Sequence, residues 1–143
     1  MILYLIDTNV VSETRKPKPH AGAFRWLQSL ELEQVFFSAV TFGEIQRGVE
    51  LTRRQDPMKA TEIEAWAAHL ERASQVLPMD PACFREYARL MHGRSNTLAE
   101  DAMIAATARV HGLTVATRNE RDFAHLGVSV FNPFKPGSSQ PRA

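Results

Sequence analysis

The chain opens on a continuous apolar run, residues 2–6, that ends abruptly in the polar triplet Asp7-Thr8-Asn9. Such a run is typical of a strand buried on both faces of a parallel sheet. Between this run and later ones lie segments with apolar residues at helical spacing, such as Phe42, Ile45 and Val49. The later short apolar runs cover residues 35–37, 76–77, 113–117 and 128–131. Strands that alternate with helices predict an α/β fold with a mainly parallel central sheet flanked by helices.

Length and charge limit the organisation and the partners. The 143 residues suffice for one domain, which we expect over residues 1–134, followed by a polar, disordered tail over 135–143. Seventeen Lys and Arg residues against 16 Asp and Glu leave a net charge of +1. No global field therefore recruits nucleic acid, and a polyanionic partner must be held by local basic patches or by bound cations.

The cysteine and histidine content excludes several kinds of site. A single cysteine, Cys83, excludes an intrachain disulfide framework and a thiolate zinc site, and it suits a reducing cytoplasm. The first apolar run is too short for a signal peptide, and no stretch approaches the ~18 apolar residues of a membrane span, so we expect a cytoplasmic protein. Serine-nucleophile, dinucleotide and P-loop motifs are missing, which leaves carboxylates as the candidate chemical groups.

Two of these carboxylates have a local structural explanation as well as a functional one. Asp7 follows a buried strand, where ligands of open parallel sheets bind, but aspartate is also a favoured helix N-cap there. Glu44 closes the tetrapeptide Thr41-Phe42-Gly43-Glu44, which has capping-box spacing, and alone it is better explained as a cap. The same spacing directs Glu44 toward the sheet edge that carries Asp7.

Asp101 is harder to explain by structure alone. It begins the segment Asp101-Ala102-Met103-Ile104-Ala105-Ala106-Thr107-Ala108, a helix that is apolar on nearly every face. No cation lies three or four residues away, so burial of this carboxylate costs several kcal/mol unless it is protonated or bound to a metal. Thr97 and Glu100 form a second capping-box spacing nearby, which would relieve only part of that cost. A functional role is favoured for Asp101.

The apolar run of residues 113–117 leads into the loop Thr117-Arg118-Asn119-Glu120-Arg121-Asp122. Asp122 has a structural explanation as a cap, and Asn119 has one as a turn residue. If the strands are parallel, this loop, Asp7, Glu44 and Asp101 meet at one edge of the sheet. Clustered carboxylates stay ionised only with a cation, and all-oxygen ligands select Mg²⁺ or Mn²⁺ over zinc.

Four segments in order resemble the PIN-domain ribonuclease toxins of the VapC type, particularly the FitB-like branch. They are residues 1–13, Ser38-Ala39-Val40-Thr41-Phe42-Gly43-Glu44-Ile45 with Gly48-Val49, residues 101–108, and Ala116-Thr117-Arg118-Asn119. The resemblance implies a PIN-like three-layer fold and a Mg²⁺- or Mn²⁺-dependent endoribonuclease. It also implies a homodimer and a DNA-binding antitoxin that blocks the active site, and it places Asp7, Glu44 and Asp101 on the three principal acids.

One position departs from the family pattern, because many relatives carry an acid where this chain has Asn119. Either Asn119 serves as a neutral ligand or Asp122 takes over as the fourth metal-binding acid, and Asp122 is favoured. The resemblance also makes Thr8, Asn9, Thr117 and Asn119 the expected lining of the pocket. Basic residues that are candidates for RNA phosphate contacts, or else solvated surface charge, are Arg15, Lys16, Lys18, Arg47 and Arg118.

Two other functions remain as alternatives at this stage. A non-catalytic PIN-like protein-binding module would keep the fold, but the intact principal acids argue against it. A phosphotransferase of the haloacid dehalogenase type also begins with a strand that ends in aspartate. That chemistry requires a second acid two residues later, where this chain has Asn9.

Overall fold

The computed structural model describes residues 1–136, so residues 137–143 of the expected tail lie outside the described range. The strands are β1 (Tyr4–Ile6), β2 (Val35–Ser38), β3 (Gln75–Leu77), β4 (Thr114–Ala116) and β5 (Val130–Phe131). The helices are α1 (Thr8–Val11), α2 (Ala21–Gln28), α3 (Ala39–Arg53), α4 (Pro57–Ala73), α5 (Pro81–Met91), α6 (Ala99–His111) and α7 (Glu120–Ala124). Short 3-10 turns cover Ser12–Arg15, Leu32–Gln34 and Asn96–Leu98.

The five strands form one parallel sheet in the order β3-β2-β1-β4-β5, which confirms the predicted α/β class. Strand β1 lies in the middle, with Leu5 in register with Phe36 of β2 on one side and with Val115 of β4 on the other. The chain leaves every strand at the same edge of the sheet. Residues that follow β1, β2 and β4 therefore meet there, although they are far apart in sequence.

The sheet is covered on both faces, as the apolar run of β1 predicts. Leu5 packs with Ile104, Val115 and Phe123 in the core on one face. Tyr4 and Ile6, whose side chains point the other way, pack in the core on the opposite face. All three strand residues are fully buried. The result is the three-layer arrangement expected from the sequence.

Several helix boundaries follow the sequence signals. Asp56 and Asp80 cap α4 and α5 and accept hydrogen bonds from the backbone N–H groups of Lys59 and Cys83, respectively. Gly112 ends α6 with a φ of 69°, a left-handed conformation that favours glycine. The last strand is shorter than predicted, because only Val130–Phe131 of the 128–131 run pairs with β4.

Both predicted capping boxes are wrong. Helix α3 starts earlier than expected, because Ser38 accepts the hydrogen bond from Val40 N and places Thr41 inside the helix. Thr97 lies in a 3-10 turn, and α6 begins after Leu98 without a side-chain cap. Glu44 and Glu100 are thus free for contacts outside their own helix ends. Within residues 1–136, no helix is long and apolar enough to cross a membrane.

Candidate active site

Asp7 lies at the carboxyl edge of the central strand, and its carboxylate is held on both oxygens. Oδ1 accepts a hydrogen bond from Thr8 N at 2.9 Å, and Oδ2 accepts bonds from Thr117 Oγ1 at 2.7 Å and Asn9 Nδ2 at 3.0 Å. Burial raises the pKa of Asp7, and the three donors oppose that rise. Asp7 is thus both the N-cap of α1 and a rigidly placed carboxylate.

The loop after β4 is tied to Asp7 through the expected pocket residues. Thr117 is fully buried, and its hydroxyl accepts hydrogen bonds from Asn119 N at 3.0 Å and Asn9 Nδ2 at 3.3 Å while it donates to Asp7. Asn9 Oδ1 accepts a hydrogen bond from Arg118 N at 3.1 Å. This network fixes β1 and β4 relative to each other at the edge where the acids converge.

Glu44 is brought to the same edge by the second turn of α3. Its Oε1 accepts a hydrogen bond from Thr8 Oγ1 at 2.9 Å. Burial, a hydrogen bond with Glu100 and the negative charges of Asp7 and Glu100 raise the pKa of Glu44 to about 7, against the opposing effect of Thr8. The Glu44 carboxyl group can therefore hold a proton near neutral pH.

Glu100 belongs to this cluster, although sequence reasoning treated it only as part of a cap. Its carboxylate forms a two-point ion pair with Arg47, with Nη1 to Oε1 at 2.6 Å and Nη2 to Oε2 at 2.9 Å. The hydrogen bonds from Arg47 are the main cause that lowers the pKa of Glu100. The only local signal was that Glu100 precedes Asp101 at the start of an apolar helix. Arg47, a predicted phosphate contact, is thus engaged at the rim of the site.

Asp101, in the first turn of α6, is half-buried and surrounded by negative charge. Burial is the main cause that raises its pKa to about 6, followed by the charges of Asp7, Asp122 and Glu100. Every charged group that shifts this pKa is another carboxylate. The structure therefore retains the electrostatic cost that was inferred from the sequence of the helix.

The two candidates for the fourth position differ in their surroundings. Asp122 lies half-buried in the first turn of α7, close enough for its charge to raise the pKa of Asp101. Asn119 is exposed, and its side chain makes no capping hydrogen bond to α7. The proximity of Asp122 to Asp101 favours Asp122, and its role stays a prediction.

Two of the predicted phosphate contacts converge on buried Glu13. Lys16 Nζ lies 2.8 Å from Glu13 Oε2, and Arg118 Nη2 lies 3.7 Å from the same oxygen. The guanidinium carbon of Arg118 also lies 3.9 Å from the centre of the Phe134 ring. Glu13 therefore holds the side chains of Lys16 and Arg118 beside the loop that carries Thr117. These ion pairs limit how far the two side chains can move toward a ligand.

The other two basic candidates are Arg15 and Lys18. The guanidinium carbon of Arg15 lies 5.4 Å from the centre of the Trp66 ring. Arg15 and Trp66 line a cavity of about 200 Å³ together with Thr8 and Glu44, so Arg15 borders the acidic cluster. Lys18 lies in the exposed Lys-Pro turn before α2.

The donor set of this edge suits a hard divalent cation. Asp7, Glu44, Asp101 and Asp122 supply only carboxylate oxygens, which favour Mg²⁺ or Mn²⁺. No three of these acids have ligand atoms that all lie within 4.8 Å of one another in the described part of the chain. This wider spacing fits Mg²⁺, which keeps several waters and is usually bound directly by one or two carboxylates.

The sequence comparisons agree with this geometry. Residues 4–128 match the PIN domain family. The chain is 39% identical over 140 residues to the toxin FitB of Neisseria gonorrhoeae, covering 92% of this chain and 99% of the relative. It is 34% identical over 143 residues to the VapC ribonuclease Y4jK of Sinorhizobium fredii, covering 94% and 99%.

The comparison of folds gives the same result. The structure of FitAB bound to an IR36 DNA fragment contains a chain that aligns with a TM-score of 0.82 at 34% identity, covering 96% of this chain and 100% of that one. Similarity over nearly the full length of both chains confirms the resemblance that the four segments indicated. The chain belongs to the PIN-domain family, within the group of toxins that includes FitB and the VapC ribonucleases.

Proposed function

We propose that this protein is a Mg²⁺- or Mn²⁺-dependent endoribonuclease and the toxin of a type II toxin–antitoxin pair. The observation that carries the proposal is the convergence of Asp7, Glu44 and Asp101 at one sheet edge, with Asp101 next to further carboxylates and not next to a cation. One relative of this chain is named a VapC ribonuclease. A cluster that repels itself in this way is stabilised by a divalent ion.

The acidic residues would have different roles at the metal site. Asp7 and Asp101 would hold the cation, and Thr117 and Asn9 would keep Asp7 in place. Glu44 and Asp122 would lie beside the cation. A bound divalent ion neutralises phosphate charge and makes a water nucleophilic at neutral pH. The pKa of Glu44, about 7, allows this carboxyl group to hold or release a proton during turnover.

The chain's own basic residues would position the RNA backbone. Arg118 and Lys16, paired with Glu13 beside the loop after β4, and Lys18 in the adjacent turn can contact phosphates. Arg47 would have to leave Glu100 before it could do so. With a net charge of +1 for the whole chain, RNA affinity should depend on these local contacts together with the bound cation.

The partner we propose is a DNA-binding antitoxin, with the toxin itself a homodimer. The relative named toxin FitB has 39% identity to this chain, and the FitAB structure to which this chain aligns was solved bound to DNA. Because the RNA substrate and a DNA-binding partner occur in the cytoplasm, we place the protein there. A short upstream reading frame for a DNA-binding protein would support this pairing.

The alternatives are a non-catalytic PIN-like module and a haloacid dehalogenase-type phosphotransferase. PIN-family membership and Asn9 at the second-acid position leave the phosphotransferase without support. A non-catalytic module would have no use for a cluster of acids whose pKa values are raised by burial and by the charges of neighbouring carboxylates. The following measurement separates a module from a nuclease.

Purified protein, free of antitoxin, is expected to cleave single-stranded or looped RNA in Mg²⁺ or Mn²⁺ and to stop on addition of EDTA. The reason is that the carboxylates alone cannot neutralise the phosphate charge. Cleavage is followed on a labelled RNA by gel electrophoresis, with thermal melting in the same buffers as a control for folding. Equal cleavage in EDTA would contradict the metal mechanism, and metal binding without cleavage would favour the non-catalytic module.

Asp122→Asn is expected to lower metal affinity more than Asn119→Ala does, because only Asp122 adds negative charge beside Asp101. We expect a loss of about tenfold for Asp122→Asn, which corresponds to about 1.4 kcal/mol of charge interaction. Titration calorimetry with Mn²⁺ on both variants makes the comparison. The opposite order would make Asn119 the fourth ligand and Asp122 a structural residue.

A further inference from the structure

A second group of potential metal ligands lies away from the acidic edge. Side-chain ligand atoms of Asp80, Cys83 and His111 all lie within 4.8 Å of one another. Asp80 and Cys83 belong to the start of α5, and His111 is the last residue of α6. His111 follows Asp101 by ten residues along α6, a distance of about 15 Å, so this group is separate from the proposed nuclease site.

The carboxylate of Asp80 is oriented by the helix that it caps. Asp80 Oδ1 accepts a hydrogen bond from Cys83 N at 2.9 Å. The thiol of Cys83 donates a second hydrogen bond to the same carboxylate. These interactions lower the pKa of Asp80, and its carboxylate lies within 4.8 Å of the sulfur. A cation that binds here would displace the thiol proton.

The three residues differ in burial, so one side of the group is closed to solvent and the other side is open to it. Cys83 is fully buried, Asp80 is half-buried and His111 is exposed. Burial and the hydrogen bond to Asp80 raise the pKa of the Cys83 thiol, and a hydrogen bond with Thr107 on α6 opposes that rise. Because His111 is exposed, solvent reaches the group from that side, and a water could serve as the fourth ligand.

We propose that Asp80, Cys83 and His111 form a site for a Zn²⁺-class transition-metal ion that braces the start of α5 against the end of α6. Sulfur, nitrogen and oxygen donors together suit borderline cations such as Zn²⁺, and not Mg²⁺. Ligand atoms of a tetrahedral zinc site are about 3.3–3.9 Å apart, given zinc–ligand distances of about 2.0–2.3 Å. The ligand atoms of the present group all lie within 4.8 Å of one another, so binding would require that they draw together to these distances.

Little in the sequence indicates such a site. From the sequence alone, the single cysteine excluded a thiolate zinc site, and the proposed group departs from that expectation because it combines one thiolate with one imidazole and one carboxylate. Only the antiparallel packing of α5 on α6 brings His111 next to the Asp80-Pro81-Ala82-Cys83 segment. The site is independent of RNA cleavage, so its test does not depend on the nuclease proposal.

Co²⁺ replaces Zn²⁺ in such sites and reports its ligands by absorption. Titration of the full chain with Co²⁺ is expected to give a thiolate-to-cobalt charge-transfer band that saturates at one ion per chain and disappears on addition of Zn²⁺. Because Cys83 is the only cysteine, this band can arise only at this group and not at the acidic edge. Zn²⁺ should also raise the melting temperature, since it binds the folded state.

Two variants test the ligand set, and a third serves as the control. His111→Ala and Asp80→Asn should each weaken Co²⁺ binding by at least about tenfold, since even indirect metal partners contribute about that much. Asparagine at position 80 keeps the N-cap, so that variant removes the ligand charge without removing the cap. The matched control is His69→Ala, at an exposed histidine on α4.

The outcomes are distinct. A band in the wild type and the control that is lost in His111→Ala and Asp80→Asn supports the site. Absence of the band, or a band unchanged in both variants, overturns it, because the latter result would mean binding to the thiol alone. Mg²⁺-dependent RNA cleavage by the same variants gives a separate readout, so failure here is distinguishable from failure of the nuclease proposal.

Discussion

Asp101→Asn is expected to abolish RNA cleavage while it leaves the metal-free protein equally or more stable. Activity should fall by about a thousandfold or more, because a cation contributes several kcal/mol of charge stabilisation in phosphodiester cleavage. Stability should not fall, because the substitution removes a carboxylate whose charged neighbours are Asp7, Asp122 and Glu100. A residue with these two opposite responses serves function at a cost in stability.

The sign of the stability effect follows from the pKa. Asp101 titrates at about 6 in the folded protein, above its ordinary value of 3.8. The folded state therefore holds its proton longer than the unfolded state, and stability is lost as pH rises from about 4 to about 6. After allowance for solvent screening of a half-exposed group, the gain from Asp101→Asn above pH 6 is about 1 kcal/mol, or about 4 °C in melting temperature.

Melting curves in EDTA and in excess Mg²⁺ test the expected stability of the Asp101→Asn variant and its expected loss of metal binding. The wild type should melt at higher temperature in Mg²⁺, and the variant should lose most of that shift because it no longer binds the ion. Glu71→Gln, at an exposed position on α4, is the matched control and should behave like the wild type. An Asp101→Asn variant that is markedly less stable in EDTA would instead make Asp101 a structural residue, whose loss costs about 1–3 kcal/mol.

Metal affinity is expected to rise steeply with pH, by about a thousandfold between pH 5 and pH 8. Carboxylates must be deprotonated before they bind a cation. The pKa of Asp101 is about 6 and that of Glu44 is about 7, so at pH 5 both carry a proton that the ion must displace. Protonation at pH 5 then weakens binding by about tenfold at Asp101 and about a hundredfold at Glu44.

Proton release distinguishes this mechanism from a general effect of pH on the fold. Calorimetric titration of Mn²⁺ at pH 5.5, in buffers of different ionisation enthalpy, should count about two protons released per ion. Glu44→Gln should reduce that number to about one and flatten the upper part of the pH profile. A profile that is flat above pH 5 in the wild type would contradict the raised pKa values at this site.

The sequence predicts the parts of this protein that depend on near neighbours in the chain. The apolar run of residues 2–6 forms the central strand, and Asp7 follows it at the ligand-binding edge of the sheet. The Asp-Pro pairs begin helices, because a cap and a proline at the first helical position act within one turn. The cost of Asp101 was visible for the same reason, since its helical neighbours carry no cation.

Other predictions failed or stayed open where several local solutions compete. Ser38 and Thr41 are both suitable N-caps, and the choice between them decides whether Glu44 caps a helix or faces the site. The structure favours Ser38, since β2 ends there, and Glu44 accepts a hydrogen bond from Thr8, 36 residues away. Periodicity and capping rules contain no information about a contact of that range.

Tertiary structure alone decided which charges meet. Glu100 pairs with Arg47 across 53 residues, and Asp122 approaches Asp101 because α7 packs against α6. The group of Asp80, Cys83 and His111 exists only because α5 packs against α6. Local patterns fix the ends of helices and strands through interactions within a turn, whereas electrostatic partners are chosen by the order of the strands and the packing of the helices, which bring distant residues within a few ångströms.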